Sequence, residues 1–229
     1  MAIETDFIEY IAPIVIEVFC DTDGVNPSVI IAQAILESGY GTSELSEYNN
    51  LFGLNDYNDG YLVNNGSIDI SVPQERNGQI VYGIEKMATF KNVKDCVLSV
   101  KKWYTRPKYV NALKGCYTST SQIKAIHSCG YATDSKYSDK IIGIINRFNL
   151  TKYDTRYGIQ IGAYAFYDNA KIQNEIYMDK GYATELYYST PWYKVAIGIS
   201  HCLKNVELLL NNIKHQLPKG SFITKLKER

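Results

Sequence analysis

Hydrophobic side chains recur at helical spacing through the first part of the chain. Apolar residues return every three or four positions across residues 6–19, which predicts an amphipathic helix. Asn26 followed by Pro27 is a typical helix start, and the largely apolar run 28–38 predicts a second helix that ends at Gly39. The same periodicity predicts four more helices, at 93–104, 109–113, 120–127 and 137–148.

Other parts of the chain alternate instead. Short alternating runs at 68–72 and 80–82, set among Asn, Asp and Gly, predict a small β-hairpin between loops. Beyond residue 150, alternation predicts strands and helical spacing predicts two helices, in the order 157–164, 169–179 (helix), 182–188, 192–199, 203–217 (helix) and 221–226. This βαββαβ order predicts a four-stranded antiparallel sheet with helices on one face, the ferredoxin-like arrangement. The predicted fold class is α+β.

Charge supports a division of the chain at the same place. Residues 1–150 carry 13 basic and 17 acidic side chains, whereas residues 151–229 carry 11 and 7. We therefore predict one domain over residues 1–152 and another over 155–229. Basic and acidic side chains number 24 each over the whole chain, and this zero net charge argues against nucleic acid or anionic lipid as a partner.

Cysteine and histidine show no pattern of a disulfide or metal site. The five cysteines are widely and irregularly spaced, which predicts buried, reduced thiols. The three histidines lack metal-ligand spacing, so we predict no metal and no cofactor. Cys116 and Cys129 flank His127, which leaves a peptidase with a catalytic Cys/His pair as one possible function. That chemistry, however, requires a thiol at a helix N-terminus and a histidine on another element.

Glu37 is the main candidate for acid–base chemistry. It lies at the end of an apolar helix, in the run AILESGYG at 34–41. A carboxyl held among apolar neighbours is harder to ionise, so it can stay protonated near neutral pH as a general acid must. The alternative is an ordinary glutamate in a solvated last turn.

The run at 34–41 and the segment NLFGL at 50–54 together resemble the catalytic signature of glycoside hydrolase family 73, the glucosaminidases of bacterial cell walls. Tyr40 stands where this family commonly has tryptophan. Further segments similar to the family follow in the family's order at 73–78, 87–104, 130–134 and 137–140. The resemblance covers about residues 5–150.

This resemblance implies a mostly helical, lysozyme-like fold that hydrolyses the β-1,4 bond between N-acetylglucosamine and N-acetylmuramic acid in peptidoglycan. Glu37 would be the general acid and Glu75, on a mobile hairpin, the second carboxylate, with Asp69 and Glu85 as its competitors. Tyr131 would position or polarise the N-acetyl group of the substrate. Four more residues would shape the groove: Tyr40, Asn50, Phe52 and Asp134. Inverting, retaining and substrate-assisted routes all stay open, because the separation of the two carboxyls is not known from sequence.

The second domain resembles the sporulation-related repeat, or SPOR, domain, which binds septal glycan strands stripped of stem peptides. The matching segments are YGIQIGAY at 157–164, NA at 169–170, GYAT at 181–184, YKVAIG at 193–198 and FITK at 222–225. The resemblance implies that the open face of the sheet binds glycan, with Gln160 as the main contact. Weaker candidates are Tyr157, Tyr164, Tyr193 and Lys225, and a plain packing domain is the alternative.

We therefore predict a monomeric endo-β-N-acetylglucosaminidase whose partner is the peptidoglycan glycan strand. Two alternatives are a muramidase on the same scaffold and a non-catalytic glycan-binding wall protein. The chain shows no secretory signal and no apolar stretch of the ~20 residues that a membrane span needs. This favours a phage endolysin or virion component, made in the cytoplasm and released by a holin to act on the cell wall, over a secreted autolysin.

Overall fold

Our computed structural model describes residues 2–20, 24–58, 60–76 and 79–226, and for residues 2, 72–76 and 79–81 it describes the backbone alone. These residues divide into two compact units. The first contains residues 2–19 and 24–151, and the second contains Cys20 and residues 152–226. In the described parts of the chain, no helix is long and apolar enough to cross a membrane.

The first unit is mainly helical, as predicted. Its helices are α1 (Ala2–Val18), α2 (Pro27–Ser38), α3 (Val93–Tyr104), α4 (Pro107–Leu113), α5 (Ser119–Ser128) and α6 (Tyr137–Arg147). A short 3-10 helix at Glu44–Tyr48 was not predicted, because five polar-rich residues contain too few apolar positions to show a period.

Helix α2 lies at the centre of the first unit. Pro27 suits its first position, where a backbone N–H has no partner inside the helix. All of its residues are buried except Leu36 and Glu37, near the C-terminal end. The helix stops at Gly39, whose φ of 56° is a left-handed conformation that glycine adopts readily. A buried helix thus presents Glu37 at its one accessible end.

The predicted hairpin is longer than its alternating pattern indicated. Strand β1 (Gly66–Arg76) pairs antiparallel with β2 (Gln79–Thr89), in a register that runs from Gly66 opposite Thr89 to Arg76 opposite Gln79. Polar residues occupy much of both strands, so backbone pairing extends well beyond the apolar runs at 68–72 and 80–82.

The second unit has the predicted βαββαβ order. Its elements are β3 (Arg156–Tyr164), α7 (Tyr167–Asp179), β4 (Thr184–Ser189), β5 (Trp192–Ser200), α8 (Leu203–Ile213) and β6 (Phe222–Leu226). The strands form one antiparallel sheet in the order β4-β5-β3-β6. Helix α8 is shorter than the predicted 203–217: it continues as a 3-10 turn at Lys214–Gln216, because Pro218 favours extended backbone at the preceding Leu217.

The two helices of this unit cover one face of the sheet. Ile159, Val195 and Ile197 from the strands pack with Ala170 of α7 and Val206 of α8 in one core. The opposite face has a smaller apolar cluster of Ala196, Ile199 and Leu226, with Tyr187 packed against it. Neither α7 nor α8 packs on that second face, which we call the open face of the sheet.

Candidate active site

Glu37 is held in place by the end of α2. The hydroxyl of Ser38 donates to the carbonyl of Ala34 at 2.6 Å and accepts from the backbone N–H of Gly41 at 2.8 Å. Ser38 is itself fully buried. The last turn of the helix is therefore closed by hydrogen bonds within the protein, which fixes the backbone that carries the Glu37 carboxyl.

A cleft opens in front of this carboxyl. It has a volume of about 450 Å³ and is lined by Leu36, Glu37, Tyr131, Ala132, Thr133, Asp134, Tyr137 and Lys140. Helix α2 supplies one wall, while the GYATD loop and the start of α6 supply the other. The cleft thus joins three of the sequence segments that carry the family resemblance, 34–41, 130–134 and 137–140.

A chain of hydrogen bonds leads from the core to Glu37. The hydroxyl of Tyr137 donates to Glu37 Oε1 at 3.0 Å and accepts from Gln33 Nε2 at 3.0 Å. Gln33 Oε1 in turn accepts from the hydroxyl of Tyr104 at 2.8 Å. Gln33, Tyr104 and Tyr137 are all buried. We call these three residues the buried relay.

Two opposing effects act on the pKa of Glu37. Part of the side chain faces the open cleft, yet the surrounding protein removes enough water from the carboxyl to raise its pKa above the ordinary glutamate value. The hydrogen bond from Tyr137 opposes this effect, because it stabilises the ionised carboxylate, but burial dominates. Glu37 therefore keeps its proton to higher pH than a solvated glutamate, as a general acid requires.

Tyr131 lies in the cleft within a group of aromatic rings. Its ring stacks on Tyr104, with centroids 6.0 Å apart, and is tilted against Tyr137 at 5.5 Å. Burial raises the pKa of Tyr131 far above its usual value, and the nearby charge of Glu37 adds to that rise. The hydroxyl of Tyr131 is therefore neutral in the working pH range and available as a hydrogen-bond donor.

Asp134 and Lys140 form an ion pair in the wall of the cleft. Lys140 Nζ lies 2.7 Å from Asp134 Oδ2, and the backbone N–H of Lys136 donates to Asp134 Oδ1 at 2.9 Å. These hydrogen bonds, that from Lys140 first, lower the pKa of Asp134. Asp134 is fully charged near neutrality, so it can accept hydrogen bonds from sugar hydroxyls but cannot serve as an acid there.

Tyr40, Asn50 and Phe52 do not line this cleft. The ring of Tyr40 packs edge-on against Phe7 and Phe148, at centroid distances of 6.4 and 6.2 Å. Phe52 is buried in the core. Tyr40 and Phe52 thus contribute to packing within the first unit, and their predicted contact with the groove stays a prediction.

Asn50 is also buried, and its amide holds a loop. It donates to the carbonyls of Leu54 and Ala88 and accepts from the N–H of Leu54, each at 2.9 Å. These bonds tie the 50–54 loop to β2. Asn50 therefore holds the base of the hairpin, and its predicted place in the groove stays a prediction.

The candidates for the second carboxylate all lie on the hairpin. Glu75 is next to the last residue of β1, opposite Ile80, and its side chain lies outside the described part of the structure. Asp69 is exposed, while the carboxylate of Glu85 accepts from the side chain of Asn55 at 2.9 Å. The predicted choice of Glu75 over its two competitors stays a prediction.

Gln160 lies in the second unit, far from Glu37 in the sequence. It lies in β3, and its Oε1 accepts from the hydroxyl of Tyr187 at 3.3 Å. Tyr187 packs on the cluster of the open face, which places this pair of polar side chains on that same face.

Cysteine chemistry finds no support in the described residues. The thiol of Cys116 donates to the carbonyl of Ala112, and the thiol of Cys129 donates to that of Lys108. None of the five cysteines forms a disulfide, and only Cys96 is fully buried; the prediction of buried thiols is therefore wrong for the other four, which are partly exposed. No group of three His, Cys, Asp or Glu side chains within the described ranges could hold a metal ion.

Gln33, Tyr104 and Tyr137 were missed as site residues. A signal for Gln33 was present: it is a polar residue in an otherwise apolar helix, one turn before Glu37, where residues four apart share a face. Tyr137 begins the segment 137–140, which carries part of the family resemblance, but the sequence analysis assigned it no role. Tyr104 gave no such signal, because its link to Gln33 joins residues distant in sequence.

Comparisons with known proteins place these features in a family context. The family model described as glucosaminidase, mannosyl-glycoprotein endo-beta-N-acetylglucosaminidase, matches residues 15–150. The exo-glucosaminidase LytG of Bacillus subtilis is 35% identical over 136 residues, which cover 57% of this chain and 46% of that protein. A probable N-acetylmuramidase of Lactococcus lactis is 32% identical over 142 residues, which cover 58% and 31%. The chain thus matches less than half the length of either relative.

A solved structure shares the fold of the first unit. The catalytic domain of the autolysin Auto from Listeria monocytogenes superposes with a TM-score of 0.57 at 27% identity, and the match covers 67% of this chain and 89% of that one. The matched length agrees with the helical unit that carries the cleft.

Proposed function

This chain belongs to the glucosaminidase family of glycoside hydrolases, and from that membership we propose that it is an endo-β-N-acetylglucosaminidase acting on bacterial peptidoglycan. The bond cleaved is the β-1,4 linkage between N-acetylglucosamine and N-acetylmuramic acid. The observation that carries this proposal is the Glu37 carboxyl, which faces an open cleft with a raised pKa and a hydrogen bond from Tyr137.

Glu37, Tyr131 and Glu75 have separate roles in the proposed reaction. Glu37 gives its proton to the glycosidic oxygen as the bond to the anomeric carbon breaks, and the departing sugar leaves with a new hydroxyl. Tyr131 donates a hydrogen bond to the N-acetyl group of the sugar. Glu75, brought by the hairpin, is the proposed second carboxylate. Water supplies the oxygen that ends on the anomeric carbon.

A muramidase is the second candidate, because a matched relative is a probable N-acetylmuramidase. Digestion of purified peptidoglycan, borohydride reduction and mass spectrometry distinguish the two. The proposal predicts glucosaminitol at the new ends, while muramitol would establish the muramidase. Glu37→Gln is the control for background hydrolysis. A complete lack of new reducing ends with the wild-type chain would favour the non-catalytic alternative.

For the second unit we propose a ferredoxin-like, SPOR-like module that binds glycan strands. Three observations support this: the strand order β4-β5-β3-β6, the helices on a single face, and the polar pair Gln160–Tyr187 on the other face. Trp192 and Phe222, both substantially exposed, add aromatic surface of the kind that stacks on sugar rings.

Sedimentation with purified sacculi tests this second proposal. Wild-type chain should pellet with sacculi, and more completely after an amidase has removed the stem peptides. Gln160→Ala should reduce pelleting, whereas Asn212→Ala, on the exposed surface of α8, should not. Equal pelleting of both variants and the wild type would reject the open face as the binding surface.

A further inference from the structure

The hydrogen bonds of the buried relay all run in one direction, with each donor pointing toward Glu37. Tyr104 donates to Gln33 at 2.8 Å, Gln33 donates to Tyr137 at 3.0 Å, and Tyr137 donates to Glu37 at 3.0 Å. Gln33 is fully buried, and Tyr104 and Tyr137 are only 5% and 4% exposed. Each donor in the series therefore has its acceptor supplied by the protein.

The chemistry of the amide sets this direction. An amide nitrogen only donates, so Tyr137 must accept from Gln33 Nε2, and its single hydrogen is left for Glu37. In the reverse order, Gln33 Oε1 would take the hydrogen of Tyr137, and Glu37 would lose its donor. In the reverse order, the buried hydroxyl of Tyr104 would accept from Gln33 instead of donating to it, and its hydrogen would be left to Tyr131.

The direction of these hydrogen bonds determines which oxygen of Glu37 carries the acid proton. Because Oε1 of Glu37 already receives a hydrogen from Tyr137, the acid proton is left to Oε2. A hydrogen bond to a charged carboxylate is stronger than one to a neutral carboxyl, so the Tyr137 bond strengthens as Glu37 gives up its proton. The relay thus orients the acid and stabilises its conjugate base during transfer.

We propose that Gln33 and Tyr104 are positioning residues that act on Glu37 through Tyr137, by keeping the Tyr137 hydroxyl a donor to Oε1. This inference rests on the proposed role of Glu37 as the general acid. The other titratable groups facing Glu37 among the described residues are Tyr131 and the Asp134–Lys140 pair. Gln33→Met removes none of the contacts of these groups, whereas Tyr104→Phe also removes the hydrogen bond between Tyr104 and Tyr131, so Gln33→Met is the primary variant.

The test is the pH dependence of kcat and kcat/KM for the full chain on soluble peptidoglycan fragments. Gln33→Met keeps the size of the side chain but removes the donor, and should lower kcat about 10-fold or more, within the ~100-fold that slight misplacement of a reacting group can cost. The alkaline limb of the kcat/KM profile should move to higher pH, because the donor that favours the ionised form of Glu37 is weakened. Tyr104→Phe should move it in the same direction, and Tyr137→Phe should move it furthest.

Tyr109→Phe is the matched control. Tyr109 is a buried tyrosine that packs edge-on against Tyr104 at 5.2 Å, but its hydroxyl accepts from Trp103 and lies outside the relay. Loss of that hydroxyl should leave the alkaline limb unchanged, whatever it does to stability. A shift equal to that of Tyr104→Phe would overturn the inference, because any loss of buried packing would then produce it.

A double-mutant cycle makes the test independent of how well Gln33→Met folds. Once Tyr137→Phe has removed the last donor, adding Tyr104→Phe should produce no further shift of the limb. Additive shifts would overturn the inference, as would an unchanged limb in both Gln33→Met and Tyr104→Phe. An active Glu37→Gln variant would instead reject the proposed acid, so the two failures are distinguishable.

Discussion

At the scale of single residues, Glu37 shows how one carboxyl is prepared for proton transfer. Burial raises its pKa, and the hydrogen bond from Tyr137 limits that rise while leaving one oxygen to carry the proton. Tyr131 is kept neutral beside it for a similar reason, since burial raises its pKa as well. An acid and a neutral donor thus share one cleft.

Asn50 supports the site at a distance, and its removal should destabilise the first unit. Asn50→Ala deletes three buried hydrogen bonds and should lower the free energy of unfolding by about 2 kcal/mol or more, since buried groups left unpaired cost ~1–3 kcal/mol each. Urea unfolding followed by Trp103 fluorescence in a Trp192→Phe background measures this. Asn64→Ala, which removes one exposed bond, should stay within about 0.5 kcal/mol of wild type. Equal effects of the two variants would contradict the account.

Sequence alone located part of this site. Glu37, Tyr131 and Asp134 were predicted from their segments, and the structure brings them into one cleft. The relay could not be predicted in the same way, because Gln33 and Glu37 each meet Tyr137 about a hundred residues later in the chain. Asn50 and Phe52 belong to the same motif yet are buried. A sequence motif therefore does not distinguish residues that line the cleft from residues that are buried in the core.

At the scale of elements, the hairpin carries all three candidates for the second carboxylate. Two strands without further partners are marginally stable on their own, so the base that Asn50 holds is the anchored end. Glu75 lies near the opposite end, next to the last residue of β1. The proposed second carboxylate thus lies on the part of the hairpin farther from the Asn50 anchor.

Glu75→Gln should lower the rate of peptidoglycan hydrolysis by about 10²-fold or more, the lower end of the contribution of a positioned acid–base group. Its melting temperature should stay close to that of wild type. Asp69→Asn and Glu85→Gln, on the same strands, are the matched controls and should keep most of the activity. A loss of activity only in Glu85→Gln or only in Asp69→Asn would assign the second carboxylate to that residue instead.

The elements themselves were largely predictable, since helical periodicity and alternation are local signals. Helix α3 has the bounds that its pattern predicted, 93–104. The strands β1 and β2 were underestimated because polar residues pair through the backbone as well as apolar ones do. The end of α8 was overestimated because apolar Leu217 continued the pattern past the point where Pro218 stops it.

At the scale of the whole molecule, the chain combines the helical unit that carries the candidate active site with a second unit of different architecture. The second unit includes Cys20, whose carbonyl accepts from the N–H of His201 and the hydroxyl of Ser200. His201 is buried, and its ring lies 3.2 Å from the carbonyl of Thr155. This histidine therefore ties together segments distant in sequence.

The stability of the second unit should fall as the pH falls. Burial lowers the pKa of His201, so the folded unit holds it neutral where the unfolded chain binds a proton. The contribution of neutral His201 to the stability of the unit is complete above the unfolded pKa of about 6.5 and is lost as the pH falls below that value. His201→Asn, which can still donate to Thr155, should reduce this dependence, whereas the exposed His215→Asn should not. Urea unfolding between pH 7.5 and 5, followed by Trp192 fluorescence in a Trp103→Phe background, measures this dependence. The same pH dependence of the free energy of unfolding in all three proteins would contradict the prediction.

The rate of peptidoglycan hydrolysis by Glu37→Gln tests the central claim most directly. The amide nearly matches the carboxyl in shape but cannot transfer the proton, so the rate should fall by about 10²–10⁴-fold with the melting temperature preserved. Glu44→Gln, an exposed residue of the short 3-10 helix that follows α2, should keep the wild-type rate. A folded Glu37→Gln variant that retains more than about a tenth of the wild-type rate would show that Glu37 is not the general acid.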